Sequence, residues 1–365
     1  MSALGTYLLY YFIVISSSII AWFSNFIRNK EHKKLAKWIF FIAIIIPVLV
    51  SGFRYGIGTD YHAYVNMYYN ITNNYYGISD AISNTRYEPG WIILNYIVKY
   101  VFDDVNYIFV LSALLTWSFS FKAIYDNKDR LSIGIAVLIL LCTMYSMSFN
   151  IVRQILAVSI IMLSVKPMLD QKKWKFIFTV LFASTFHFTA IIFLISYWVI
   201  NSKTANRRLL KRLFIPVMFI GLVVFFQPIT SYLASLGILS NYSSYGLDVG
   251  GFSRSTFFFK LPIVIVMLFS IRNLRLQNNA IHKMSILFYI GVIMLLLSNY
   301  SPYLSRLSYF FDVAQIFVIS ALVKHQKNKY QQFFFVYLII IYYLGWFTYF
   351  YLIVGNGGTI PYQSL

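Results

Sequence analysis

Apolar residues in this chain come in runs long enough to cross a bilayer, and the polar residues between the runs are sorted by charge. A transmembrane helix needs about 20 predominantly apolar residues, because the hydrocarbon core is about 30 Å thick and each residue rises 1.5 Å. Ten runs meet or approach that length, at 3–27, 35–53, 105–124, 131–149, 151–165, 213–233, 257–271, 283–299, 306–323 and 333–354. The first run is followed by its basic residues, Arg28, Lys30, Lys33, Lys34 and Lys37, which separates it from a cleaved leader and predicts an N-terminus outside. The cytoplasmic segments are then 28–37, 122–130, 166–175, 201–212, 272–283 and 324–332, and each is net positive, as the positive-inside rule requires.

Two stretches depart from simple crossing. Residues 91–102 (WIILNYIVKYVF) are apolar but short and run into Asp103 and Asp104, which predicts an interfacial helix on the outer side. Residues 176–200 are hydrophobic but flanked by basic loops at both ends, so a single crossing would put one of those loops outside. A re-entrant pair of half-helices, breaking near Ser184, Thr185, Phe186 and His187, satisfies both loops. Hydrophilic outer loops remain at 54–90 and 234–256, and no internal repeat or linker divides the chain. The prediction is one all-α, polytopic integral membrane domain spanning residues 1–365.

Composition agrees. Of 365 residues 59% are apolar and 11% charged, with mean hydropathy +0.69, whereas a soluble domain carries about 25% charge. The net charge of +19 would suggest a nucleic-acid binder in a soluble chain. Here the whole excess falls on the cytoplasmic segments and the outer side is neutral, so no nucleic-acid partner is expected. Cys142 is the single cysteine and cannot form an internal disulfide.

The candidate chemistry therefore lies on the outer side. The first outer loop opens FRYGIGTDYHAY at 53–64 and closes RYEPGW at 86–91. Gly56 and Gly58 allow tight backbone geometry, so Arg54 and Asp60 can face one pocket, with Tyr61 beside them. Arg86 and Glu88 precede Pro89 and Gly90, which end the loop and start a helix. The competing reading is plain interfacial ion pairing, Arg54 with Asp60 and Arg86 with Glu88.

Arg153 interrupts an apolar stretch, and an arginine at the bilayer centre costs about 2.5–3.5 kcal/mol on insertion scales. Such a residue faces a cavity or a partner unless it snorkels to a nearby interface. Gln154 adds a neutral hydrogen-bonding group. His187, in STFHFTA at the predicted break, could accept a proton from a substrate hydroxyl, with His62 as a more exposed rival. Arg254 and Arg306 lie at outer helix starts, with Asp312 two turns deeper. Five of the outward cations are arginines (Arg54, Arg86, Arg153, Arg254 and Arg306), beside Lys99 and Lys260. Converging guanidinium forks would make a diphosphate clamp; scattered ones would not. Walker, G-x-S-x-G, H-E-x-x-H and Cys/His motifs are absent, so neither a metal nor a cofactor is expected.

FRYGIGTDY at 53–61, RYEPGW at 86–91, IVRQILAVSI at 151–160, ASTFHFTAIIF at 183–193 and SRLSYFF at 305–311, in this order, resemble the EpsG family of membrane polysaccharide polymerases. Those in turn resemble Wzy-type O-antigen and capsule polymerases. The likeness runs from about residue 40 to 323, with 201–280 matching in hydropathy alone. It implies a glycosyltransferase joining oligosaccharide repeat units carried on undecaprenyl diphosphate, at the outer face of the bacterial inner (cytoplasmic) membrane, into O-antigen, capsule or exopolysaccharide. It also implies a GT-C-like fold, contact with membrane lipid, and a flippase and chain-length regulator as pathway partners. On this view Arg153 and Arg306, helped by Arg254, hold the donor diphosphate. The general base is His187 or a carboxylate, Asp60 or Glu88; Arg54 orients Asp60 or touches the donor, and Gln154, Tyr61 and Arg86 complete the substrate contacts. A flippase of lipid-linked oligosaccharide and a ligase or acyltransferase are the alternatives. A transporter would spread polar groups through the bilayer and show repeat symmetry, and the sequence has neither.

Overall fold

The computed structural model describes residues 1–29, 32–201, 254–277, 279–298, 302–326 and 328–365. The expected run 213–233, and nearly all of the segments 201–212 and 234–256, lie outside the described residues. Helices account for the apolar runs that remain: α1 (Ala3–Asn29), α2 (Lys33–Ile42), α3 (Ile45–Gly52), α4 (Tyr61–Asn73), α5 (Ile78–Asn84), α6 (Pro89–Val101), α7 (Tyr107–Asp126), α8 (Ile133–Met144), α9 (Val152–Leu169), α10 (Lys173–Ser184), α11 (Ile195–Asn201), α12 (Arg254–Gln277), α13 (Asn279–Leu297), α14 (Pro302–Lys324) and α15 (Lys329–Phe347). No strand occurs among the described residues; one isolated antiparallel bridge joins Arg54 to Ser364.

Among the described residues six spans are long and apolar enough to cross a membrane: α1, α2 with α3, α7, α9, α14, and α15 with the π-helical turn that continues it. Shorter apolar helices cover 133–144, 188–201, 258–270 and 281–297. What marks this as a multi-pass membrane protein is where its apolar surface points. On α1, Leu4, Leu8, Phe12, Ile15, Ile19, Trp22 and Phe26 recur every three or four residues and are exposed, while Tyr10, Ile13, Val14, Ser17 and Ala21 are buried. An apolar stripe turned outward suits lipid and would be a liability in water.

α8 is buried on nearly every side, as a helix apolar all round must be, and with α9 it forms the centre. Around that centre pack α1, α7, α10, α14 and α15. The basic segments meet at one end of this bundle. Arg28 Nη1 lies 2.6 Å from Asp129 Oδ1, Arg130 Nη2 lies 2.7 Å from Asp170 Oδ1, and Lys324 donates to the carbonyls of Lys128 and Asp129 at 2.9 and 2.8 Å. Four of the basic segments thus share one end of the bundle.

α10 ends at Ser184, residues 188–194 form a 3-10 stretch, and α11 returns the chain to its starting level. Tyr197 Oη donates to the Gln171 carbonyl (3.0 Å) and Asn201 Nδ2 to the Met168 carbonyl (3.0 Å), so the segment is a hairpin whose turn is Thr185–His187. The break falls where the charge argument placed it. Residues 54–90, expected as a loop, instead hold α4 and α5, and the helix expected at 91–102 is α6. Residues 354–365, on which the sequence pattern is silent, lie across the segment that follows α3. Tyr55 N–H donates to the Gln363 carbonyl (3.0 Å), Leu365 N–H to Phe53 (3.0 Å) and Gly58 N–H to Gly358 (3.1 Å).

Candidate functional site

Four of the five outer motifs meet through specific contacts, and the fifth is fastened beside them. Pro89 occupies the first turn of α6, where its fixed φ and missing N–H cost nothing, and Glu88 precedes it in extended backbone. That geometry turns the Glu88 carboxylate back toward the α10–α11 turn. Its Oε1 accepts the Phe188 N–H (3.3 Å) and lies 3.5 Å from His187 Nδ1; its Oε2 lies 2.5 Å from Arg153 Nη1. Two residues on, Gly90 N–H donates to the Thr185 carbonyl at 2.8 Å. A Cβ on Gly90 would stand 2.6 Å from Thr185 Oγ1, so only glycine lets the two segments approach this closely. The next link is Gln154, whose Nε2 donates to the Arg306 carbonyl at 2.6 Å and joins α9 to α14.

These contacts enclose an outer cleft of about 250 Å³ lined by Asp60, Tyr64, Arg153, Gln154, His187 and Arg306. Asp60 enters from the N-terminal end of α4, Arg153 and Gln154 from the first turn of α9, His187 from the hairpin turn and Arg306 from the first turns of α14. Tyr64 accepts the Arg153 backbone N–H at 3.4 Å and so fixes α4 against α9. Glu88 is buried just behind this lining, facing His187 and Arg153. Burial works to raise its carboxyl, but the His187 contact and the Arg153 guanidinium outweigh that and hold it below the ordinary carboxylate range.

The loop carrying Asp60 is anchored on the turn before α9. Asn150 Oδ1 accepts the Thr59 backbone N–H (2.6 Å) and receives the Thr59 hydroxyl (2.9 Å), and Thr59 N–H also points at the Gly357 carbonyl (3.3 Å). Gly58 has φ +99°, and a Cβ there would stand 2.6 Å from the Phe149 carbonyl oxygen. The sequence reading passed over Asn150 and the C-terminal segment; the signals were the asparagine three residues before Arg153 and the glycine pair Gly357–Gly358.

Arg54 is a correction to the expected substrate contacts. It is 2% exposed and donates to the carbonyls of Ser51 (2.8 Å) and Phe149 (3.1 Å), with its guanidinium 4.7 and 4.8 Å from the Phe109 and Phe149 ring centres. Burial pushes its pKa down to about 10, still well above neutrality, so it is a buried cation held by carbonyls and aromatic faces. It does not line the cleft: its backbone bridges to Ser364, and Gly56 and Gly58, both at positive φ, turn the chain before Asp60. Tyr61 is likewise structural here: buried, stacked on Phe109 at 4.5 Å and donating to Asn106 Oδ1 at 3.0 Å. Arg86 and His62 are exposed and do not line the cleft. Arg254 begins α12, and its side chain lies outside the described residues. Lys260, expected to face outward, is buried against Asp312.

Among the described residues no group of three or more His, Cys, Asp or Glu side chains could hold a metal ion. The cleft instead offers two guanidinium groups, a carboxylate and a carboxylate-backed imidazole around one small space. No curated protein and no solved structure shows a significant match to the chain. The EpsG family model matches residues 37–364, nearly all of the sequence and all five motifs, and the chain belongs to that family of polysaccharide-polymerase-like membrane proteins.

Proposed function

We propose that this protein is a glycosyltransferase that polymerises oligosaccharide repeat units carried on undecaprenyl diphosphate, on the outer face of the bacterial cytoplasmic membrane. The observation that carries the proposal is the cleft itself: acid–base groups and phosphate-binding groups converge there from four separate segments. In the reaction, an acceptor sugar hydroxyl loses its proton to a base, and its oxygen bonds to the anomeric carbon of the donor. The bond from that carbon to the diphosphate breaks, and the electron pair leaves on the phosphate oxygen. Arg153 and Arg306 line the cleft and stabilise this developing charge, helped by Arg254 at the start of α12.

His187 is the better-placed base. Glu88 faces its Nδ1, which favours the tautomer protonated there and leaves Nε2 as a proton acceptor. Asp60 is the alternative base, and Glu88 acts as a positioning group because Arg153 and the hairpin turn already occupy its two oxygens. A GT-C-like arrangement, with reacting groups on outer segments of a helical bundle, belongs to the same reading. The lipid-linked saccharides of a strain deleted for this gene separate polymerase from flippase. Single repeat units accumulating at the outer face fit polymerisation, whereas repeats trapped inside with no surface saccharide would show a transporter.

A further inference from the structure

Glu88 stands between the two kinds of group that the cleft brings together, and it holds them unequally. Its Oε2 meets Arg153 Nη1 at 2.5 Å, whereas its Oε1 accepts the Phe188 N–H at 3.3 Å and lies 3.5 Å from His187 Nδ1. His187 is 6% exposed, and its Nδ1 is buried without a hydrogen bond. Buried polar nitrogens are nearly always paired, so an exception beside a carboxylate points to a contact made in another state of the site.

The lining shows what would bring that state about. Arg153 and Arg306 share the cleft with His187, while Asp60 and Tyr64 enter it from α4. Two guanidinium groups repel a proton on the imidazole, and a Glu88 carboxylate paired with Arg153 offsets little of that repulsion. A diphosphate in the cleft carries more negative charge than a carboxylate and competes with Glu88 for the Arg153 guanidinium. Glu88 is held on the hairpin turn by the Phe188 N–H. A buried carboxylate that loses its cation is costly to the fold unless another donor takes the cation's place. His187 Nδ1–H is the donor already beside it.

We propose that Glu88 relays donor binding to the base: a diphosphate on Arg153 draws the guanidinium away, and the released carboxylate closes on His187 Nδ1. His187 Nε2 then takes the proton of the acceptor hydroxyl with Glu88 beside the resulting imidazolium, while the electron pair of the breaking bond leaves on the diphosphate held by Arg153 and Arg306. The base is armed by a loaded donor and idle without one, which orders the reaction donor first. This rests on the diphosphate reading of the cleft and adds that its two halves are coupled through one side chain.

The test uses the purified full-length protein in a neutral maltoside detergent, with inorganic diphosphate as the probe and nitrogen-15 label in the histidines. The chain has five histidines, and His187→Gln assigns the signal of His187. At mildly alkaline pH, where an imidazole is neutral, saturating diphosphate should move the His187 Nδ1–H resonance of the wild type downfield, the signature of a shorter hydrogen bond to a carboxylate. Glu88→Gln should bind diphosphate about tenfold more tightly than wild type, because Arg153 no longer has a carboxylate to leave, and should show no downfield move. A role for Glu88 in holding the fold alone would move neither reading in this direction. The wild-type resonance needs no variant, so it decides the matter even where Glu88→Gln does not fold. A wild-type protein that binds diphosphate with its His187 resonance unmoved would overturn the relay and leave the clamp standing, as would a folded Glu88→Gln that binds no more tightly. A wild-type protein that does not bind diphosphate would remove the clamp and the relay together.

Discussion

Glu88 and Arg153, 65 positions apart in sequence, form an ion pair of 2.5 Å at the rim of the cleft, and the other oxygen of the same carboxylate faces the His187 turn. Both partners are mostly buried. Removing one partner of a buried pair leaves an uncompensated charge and typically costs about 3–5 kcal/mol. Glu88→Gln should therefore lower the melting temperature of the purified protein clearly, and Glu88→Gln combined with Arg153→Gln should cost less than the sum of the single changes. Additive losses would show that the two side chains do not depend on each other.

The same pair predicts a pH dependence. Glu88 titrates below the ordinary carboxylate value of about 4.3, so the stability it contributes is present above that value and is lost as the pH falls through its lowered value. Thermal stability should have an acid limb that flattens in Glu88→Gln and leaves the neutral range without any Glu88-dependent change. A Glu88-dependent loss near neutral pH would contradict the assigned direction.

Gly90 tests the approach of RYEPGW to the hairpin turn. Its added Cβ would meet Thr185 Oγ1 at 2.6 Å and the Thr185 carbonyl oxygen at 2.9 Å, the latter being backbone that cannot rotate away. Gly90→Ala should cost about 1–3 kcal/mol and reduce polymer made in cells. Adding Thr185→Ser retains the clash, whereas Thr185→Ala removes the hydroxyl and should restore part of the loss. Melting curves and polymer gels of the three variants read this directly.

The sequence made the helical framework legible because lipid imposes length and the charge rule imposes sidedness. Runs such as 3–27, 105–124 and 306–323 became helices within a few residues, and two flanking basic loops sufficed to place the hairpin break at His187. The pairing of side chains was less legible. The competing reading paired Glu88 with Arg86, close in sequence, but Pro89 starts a helix there and the carboxylate faces Arg153 and Phe188 instead. Arg54 had the same chemical identity as Arg153, and only the packing of Phe109 and Phe149 around it shows that it is structural. The contact between Gly58 and Gly358 joins segments 300 positions apart, for which hydropathy carries no signal.

Asn150 carries the consequence of that last contact. It holds Thr59, and so Asp60, against the turn that leads into Arg153. Asn150→Ala loses two hydrogen bonds worth about 0.5–1.5 kcal/mol each and should shift polymer toward shorter chains at unchanged protein abundance. Asn150→Asp keeps the acceptor for Thr59 and should retain more activity. Equal defects in both variants would show that acceptance from Thr59 is not what matters.

Sugar transfer in the cleft with His187 as base and Arg306 on the diphosphate makes both side chains necessary for polymer and neither necessary for the repeat unit. Its most direct test is a gel of lipid-linked and surface saccharides from the deletion strain complemented with His187→Ala or Arg306→Ala, at protein abundance matched to wild type. Single repeat units on the lipid carrier and loss of the polymer ladder are expected for both variants. A wild-type ladder from both would contradict that mechanism.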